Sequence, residues 1–435
     1  MSREFTLILS QRLWQAVAGL ITVIFVAGYL SAEEQGWYYT FVSLAALYSV
    51  FEMGLSSALV QSAGHVFVGL RWLPKGNLEG QHADVFKSFL GHAVRHYLRL
   101  AVAFAVFILF IGFAYFSAKS QPEETLGYWR GPWIGLVLVT ASAMMTLPFL
   151  SIVEGTGAIV EVYSLRLLQG VVGSASCWVM LATGASIWAT AAVPAAATLV
   201  ALIWVFAFRR KTMSMAVQTP DPLAFNWKNE ISHLQWRVSI SWIGIYIMSQ
   251  LATPILFYFQ DAEVAGQMGL SLTVAHMLGL VAQASMARVM PAMSFAVASK
   301  SWQELDRLFK RGLLGFISVF SLGVGAASLA YALMSATTFS ARMLPVEQLV
   351  ELVIFVFFYQ FNAALSSQLR AFRREPLAWV YAVGAVLTLI CSVAMASTES
   401  SAGVVRVMLL LQVGFVFPLS LVLWRHNLLR WRKVI

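Results

Sequence analysis

Residues run along this chain in predominantly apolar blocks of about twenty or more, the length of helix needed to cross a bilayer with every backbone polar group satisfied inside the segment. Such blocks fall at roughly 12–30, 38–66, 98–117, 132–152, 165–184 and 187–207 in the first half. In the second half they fall at roughly 238–259, 265–298, 312–334, 347–369, 377–397 and 403–424. Hydropathy takes no account of the sign of charge, so Lys and Arg test this pattern independently. With both termini cytoplasmic, only Lys119, Arg130, Arg342 and Arg406 of the 29 basic residues fall at outer ends, as the positive-inside rule requires. The pattern predicts an all-α polytopic membrane protein of about 12 transmembrane helices.

The gaps carry the organisation. Outer gaps such as QDAE are too short to form a domain. Two inner segments are longer, near 68–97 and 208–237. The second contains Pro220 and Pro222, which break helix, and predicts a cytoplasmic linker over 211–236 between six-helix bundles at 1–210 and 237–435. In the first, Asp84 caps a helix whose apolar positions Phe86, Phe89, Leu90, Ala93 and Tyr97 recur at helical spacing among Lys87, His92, Arg95, His96 and Arg99. That pattern predicts a helix lying in the membrane interface, its cations against lipid headgroups.

The two halves repeat each other. YLSAEEQGWYYTFVSL from Tyr29 matches FQDAEVAGQMGLSLTV from Phe259, which sets Gly36 against Gly266 and Glu33 against Glu263. Gln11 with Arg12 likewise matches Gln235 with Arg237. An even number of spans in each half implies parallel repeats, an arrangement that commonly encloses a substrate site.

Composition narrows the function classes. The chain is 59% hydrophobic and 11% charged, against about a quarter charged in soluble proteins. Its net charge of +9 belongs to the cytoplasmic loops and so does not indicate a nucleic-acid partner. The apolar run from Leu13 to Leu30 is too long for a secretory signal and reads as a retained first span. Cys177 and Cys391, on different spans, build neither a disulfide framework nor a metal site. No GxxxxGK[ST] loop is present to energise the chain with ATP.

The charges that topology does not require are the candidates for chemistry. Glu52 sits midway along an apolar block, where a charge costs about 2.5–3.5 kcal/mol on insertion scales. It is either a structural carboxylate or a group that takes up and releases an ion, with Gly54 permitting a bend or a close approach. Arg288, ahead of Pro291 in the long eighth block, either snorkels to headgroups or lines a cavity. Arg12 and Arg237, at the inner ends of the first and seventh blocks, are anchors or phosphate ligands, since a guanidinium grips phosphate in a bidentate fork. His65 and His276 are the spanning histidines and Gln250 and Gln283 are intramembrane amides; each serves equally well in helix packing or in substrate contact.

The segment RLWQAVAGLITVIFVAGYLSAEEQGWYYTFVSLAALYSVFEMGL, with Arg12, Leu30, Ser31, Glu34, Gly36, Tyr38, Glu52, Gly54 and Leu55, resembles the opening of the polysaccharide and O-antigen flippases. These belong to the multidrug/oligosaccharidyl-lipid/polysaccharide (MOP) exporter superfamily, whose fold is MATE-like. LQWRVSISWIGIY, TPILFYFQDAEVAGQMGLSL and WQELDRLF are similar to segments of bacterial members. The resemblance implies two six-helix bundles, a lipid-linked oligosaccharide as substrate and no covalent catalysis. It further implies passage of a polyprenyl-diphosphate-linked glycan across the bacterial cytoplasmic membrane by alternating access, for polysaccharide, O-antigen or lipopolysaccharide biosynthesis. By position, Arg12, Arg288 and Arg237 correspond to the basic residues that contact the anionic carrier in that family. Glu52, Gln250, His276 and Gln283 are further candidate substrate contacts on their own chemistry, and Glu52 or His65 the candidates for ion coupling to a proton or sodium gradient. No cofactor or metal is implied; the partners implied are membrane lipid and the polysaccharide polymerase or assembly machinery. Two other classes compete: an ion-coupled exporter of amphipathic cations, with Glu52 as counter-ion, and a membrane glycan polymerase or glycosyltransferase, which the short outer loops disfavour.

Overall fold

The computed structural model describes residues 3–119, 128–217, 225, 227, 233–334, 338–372 and 374–434. In chain order, α1 (Arg3–Tyr29), α2 (Ala32–Ala45), α3 (Tyr48–Glu52) and α4 (Leu55–Val66) lead to a hairpin of β1 (Leu70–Leu73) and β2 (Asn77–Gly80). Then follow α5 (Ala83–Lys119), α6 (Arg130–Gly155), α7 (Ile159–Ala182), α8 (Ala192–Phe208) and α9 (Arg210–Val217). The second half holds α10 (His233–Gln250), α11 (Ala252–Phe259), α12 (Ala262–Ala298), α13 (Trp302–Met334), α14 (Thr338–Ala341) and α15 (Val346–Arg370). It closes with α16 (Ala378–Thr398), α17 (Ser400–Leu411), a π-helical turn at Gln412–Val416 and α18 (Phe417–Val434). Among the described residues, 11 helices are long and apolar enough to cross a membrane, or 12 when α10 and α11, bent by 46° across Leu251, count as one. The protein is an all-helical polytopic membrane protein.

The chain forms two compact units, Met1–Phe25 with Leu44–Ser239, and Val26–Ser43 with Ile240–Ile435. The ends of the first two spans nearest the turn at Leu30 thus pack with the second unit. Much of the 211–236 linker lies outside the described residues; α9 occupies its start.

In the first unit the core joins Leu55, Leu59 and Ala63 of α4 to Phe86, Phe89, Leu90, Ala93 and Tyr97 of α5, Phe149 to Val153 of α6, and Trp204 of α8. The expected interfacial helix is therefore corrected. The stripe over 86–97 is the opening of α5, continuous with the third span, and its apolar face is fully buried against other helices. No Pro or Gly separates Tyr97 from the span that follows, so nothing turns the chain into the membrane plane. The loop before it is a hairpin turned by Pro74, Lys75 and Gly76, two of them at positive φ. Trp72 fixes the hairpin to the helices: its indole donates to Thr156 Oγ1 at 2.8 Å and its ring lies 4.6 Å under the Arg209 guanidinium. Glu161 accepts from both Arg209 and Trp204 Nε1.

In the second unit, Gly36 and Gly266, the pair equated by the internal repeat, lie against each other. A Cβ on Gly36 would overlap the Ala262 carbonyl, and one on Gly266 would stand 2.9 Å from the Gly36 nitrogen. Tyr246 donates to the Ser43 carbonyl at 2.9 Å and Gln35 to the Arg342 carbonyl at 3.0 Å, while Trp37 packs edge-on to Phe257. Helix α12 runs through Pro291 without interruption and, at 37 residues, measures about 55 Å.

Candidate functional site

Glu52 is where the second span, expected as one helix, breaks. Met53 and Gly54 both take positive φ, 51° and 70°, which turns the chain left-handed between α3 and α4 and frees the first amides of α4. The Glu52 carboxylate fills that end: it accepts from Gly54 N at 2.9 Å, from Ser56 N and Oγ, and from the Tyr97 hydroxyl at 2.7 Å. Negative charge at a helix N-terminus is favoured by the free N–H groups and the helix dipole. Glu52 is thus a cap built from side chains of its own unit.

A second cluster in the same unit was not foreseen. Glu154, ending α6, pairs with Arg166 of α7 at 2.7 Å and accepts from the Tyr163 hydroxyl. The Arg166 guanidinium lies 5.2 Å over the Tyr163 ring. Arg12 is within electrostatic reach of the Tyr163 hydroxyl; it is exposed and has no ion pair among the described residues. Two guanidinium groups therefore attend one tyrosine, and a single carboxylate neutralises only one of them. Sequence reading passed over this cluster because Glu154 and Tyr163 sit in an ordinary inner gap and Arg166 at the inner edge of the next block, where charge is expected for topology alone. His65 is exposed in the last turn of α4.

In the second unit the structure brings His276 and Gln283, both on α12, against α15. Gln283 Nε2 donates to the Gln360 carbonyl at 2.6 Å, and Gly279 leaves room for the Gln360 side chain. His276 bonds the backbone of Ser249 and meets the Tyr359 ring edge-on at 5.9 Å; its Nε2 is buried without a partner among the described residues. Gln250, next to Ser249 at the end of α10, accepts on its carbonyl from Ser43 Oγ. In sequence Gln360, like Gln283, is an intramembrane amide suited to interhelical hydrogen bonds, whereas nothing marks Tyr359 as part of the same polar layer. Arg288, further along α12, is exposed and has no ion pair among the described residues. Arg237 lies on α10, and its side chain falls outside the described residues. No group of three or more His, Cys, Asp or Glu gathers into a metal-binding set among the described residues.

Of the candidate residues, the described geometry holds one carboxylate on a helix end and two arginines without an ion pair, one in each unit. No known family profile matches the sequence, and no curated protein resembles it closely enough to match. Solved structures do match in fold. An inward-facing multidrug resistance MATE transporter is 15% identical, covers 97% of this chain and 96% of its own, and superposes with a TM-score of 0.64. The fold is that of the MOP superfamily. The lipid II flippase MurJ, inward closed, is 13% identical over 95% of this chain and 86% of its own, with a TM-score of 0.65. A MOP superfamily transporter from Pyrococcus furiosus, described as having a binding pocket of reversed polarity, is 13% identical over 97% and 95% of the two chains, at 0.56. Structures of the MOP fold thus include one whose binding pocket is described as reversed in polarity.

Proposed function

We propose that this MOP-fold protein is a flippase for a polyprenyl-diphosphate-linked oligosaccharide, working by alternating access in the bacterial cytoplasmic membrane. The observation that carries this reading is the sign of the charge left uncommitted. Glu52 is spent on four hydrogen bonds and Glu154 on Arg166 and Tyr163. Arg12 and Arg288 have no ion pair among the described residues. A guanidinium group favours phosphate, which it grips with two parallel hydrogen bonds. The neutral amides and aromatic rings of the second unit, Gln283, Gln360, His276 and Tyr359, offer donors and acceptors of the kind sugar hydroxyls use. The helix-end seat of Glu52 supplies a group whose protonation, driven by a proton gradient, would release α4 and so couple energy to reorientation; sodium exchange at the same carboxylate is the other route. The expected partners are lipid and the machinery that consumes the flipped glycan.

The test uses proteoliposomes and a fluorescent polyprenyl-diphosphate oligosaccharide. Arg12→Ala and Arg288→Ala should each slow translocation by about tenfold, the worth of one charge-assisted hydrogen bond, with folding checked by size exclusion. An unchanged rate in the double variant removes these arginines from the mechanism. Efflux of a lipophilic cation that Glu52→Gln abolishes would replace the flippase reading by that of a cation exporter.

A further inference from the structure

The helices α15 to α18 of the second unit carry polar side chains that translocation leaves unused. Asn362 on α15, Thr388 and Ser392 on α16, Gln412 in the π turn and Ser420 on α18 are each at most 4% exposed. Their side-chain nitrogens and oxygens have no hydrogen-bond partner among the described residues. Other helical hydroxyls of this chain bond back to the preceding turn, as Thr140 does to Leu136, Ser174 to Gly170 and Ser367 to Ala363. Thr388, Ser392 and Ser420 do not, so their hydroxyls are turned away from their own backbone.

Helix register gathers these groups along one seam. A Cβ on Gly384 would run into the Val416 side chain, so the face carrying Gly384, Thr388 and Ser392 opposes the one carrying Gln412, Val416 and Ser420. The two helices run antiparallel, which sets Thr388 level with Gln412. Phe358 and Phe361 of α15 pack on Phe417, and Tyr381 of α16 donates to the Asn362 carbonyl at 3.3 Å. Asn362 therefore stands near the level of Ser420. The π turn falls here for a local reason: Pro418 has no N–H for the Gly414 carbonyl and its ring would crowd it. Such turns recur at binding sites.

We propose that this seam is a binding site for ordered water, in two groups on either side of Val416. Amides and hydroxyls sealed away without partners are costly, and five of them in one seam require a guest that both donates and accepts. Water meets that requirement. None of the five residues is ionisable, and a bare cation would satisfy the oxygens while stranding the amide nitrogens of Asn362 and Gln412. Guest water makes the seam a polar, hydrated joint inside an otherwise apolar bundle.

The test is radiolytic hydroxyl footprinting of the full-length protein in lipid nanodiscs, in which radicals born from bound water oxidise nearby buried side chains. Met408, 2% exposed and one turn from Gln412, should label faster than Met286 and Met293, which are 1% and 0% exposed. Gln412→Leu should lose that labelling and melt at a lower temperature, because its water network is broken. Equal labelling of the three methionines overturns the proposal, as does a Gln412→Leu variant that melts higher, the behaviour of a dry seam relieved of a stranded amide. A melting temperature that rises with sodium or potassium in the wild type but not in Gln412→Leu makes the guest an ion and also overturns it.

Discussion

Two residue patterns that led the sequence reading turn out to be helix caps. Ser31 and Glu34 form a reciprocal capping box at the start of α2: Ser31 N donates to Glu34 Oε2 at 2.7 Å and Glu34 N donates to Ser31 Oγ at 3.1 Å. Glu52, Gly54 and Leu55 form the second, across the break in the second span. Loss of Tyr97's hydroxyl in Tyr97→Phe removes one of the donors to Glu52 and should cost about 1 kcal/mol. Glu52→Gln should cost more, about 1–3 kcal/mol, because its amide would set an N–H against the amides of Gly54 or Ser56. Thermal unfolding in detergent ranks the two variants; a Glu52→Gln protein as stable as the wild type would show that the cap contributes nothing. Gly36 is a sterner position. Gly36→Ala should fail to accumulate as folded protein, since its Cβ has only the Ala262 backbone to displace, whereas Gly28→Ala, with open space around it, should express normally. Equal yields would contradict the close approach of α2 and α12.

At the scale of elements, the apolar blocks were legible because hydropathy sums over about twenty residues and tolerates local irregularity. What the sum conceals is where a span breaks. Met53 adopts a left-handed conformation that no residue type announces, and only Gly54 hinted at it. Helix α5 shows the opposite failure. An amphipathic stripe has the same period whether it faces lipid headgroups or protein, and the partners that bury Phe86 and Phe89 come from α4, α6 and the hairpin. Cysteine scanning in a background lacking Cys177 and Cys391 separates the two: Leu90→Cys should resist a membrane-permeant thiol reagent, while Val106→Cys, on a face 65% exposed in the protein alone, should react. The hairpin was missed because four-residue strands fall below any periodicity window, although the Pro74–Asn77 turn carries helix-breaking residues. Trp72→Ala should destabilise the first unit by about 3–5 kcal/mol, as large aromatic truncations do. The thermal midpoint measures it, and an unchanged midpoint would mean that the hairpin is not anchored.

For the whole molecule, the distribution of Lys and Arg and the apolar blocks predicted the polytopic helical bundle that the coordinates show, and the MOP fold was expected from the sequence resemblance alone. The candidate site was legible only in part. Single charges such as Glu52, Arg12 and Arg288 stand out against apolar sequence, but the partners that decide which of them are free, Tyr97, Glu154, Tyr163 and Arg166, are brought in by tertiary structure. Of these candidates, Arg12 and Arg288 have no ion pair among the described residues, and on the proposed flippase reading positive charge favours a diphosphate lipid over a cation. The most direct measurement offers both substrates to the same purified wild-type protein in proteoliposomes: a polyprenyl-diphosphate oligosaccharide and a lipophilic cation. Translocation of the lipid-linked oligosaccharide with no transport of the cation is the expected result; transport of the cation while the lipid-linked oligosaccharide stays in its original leaflet would contradict it.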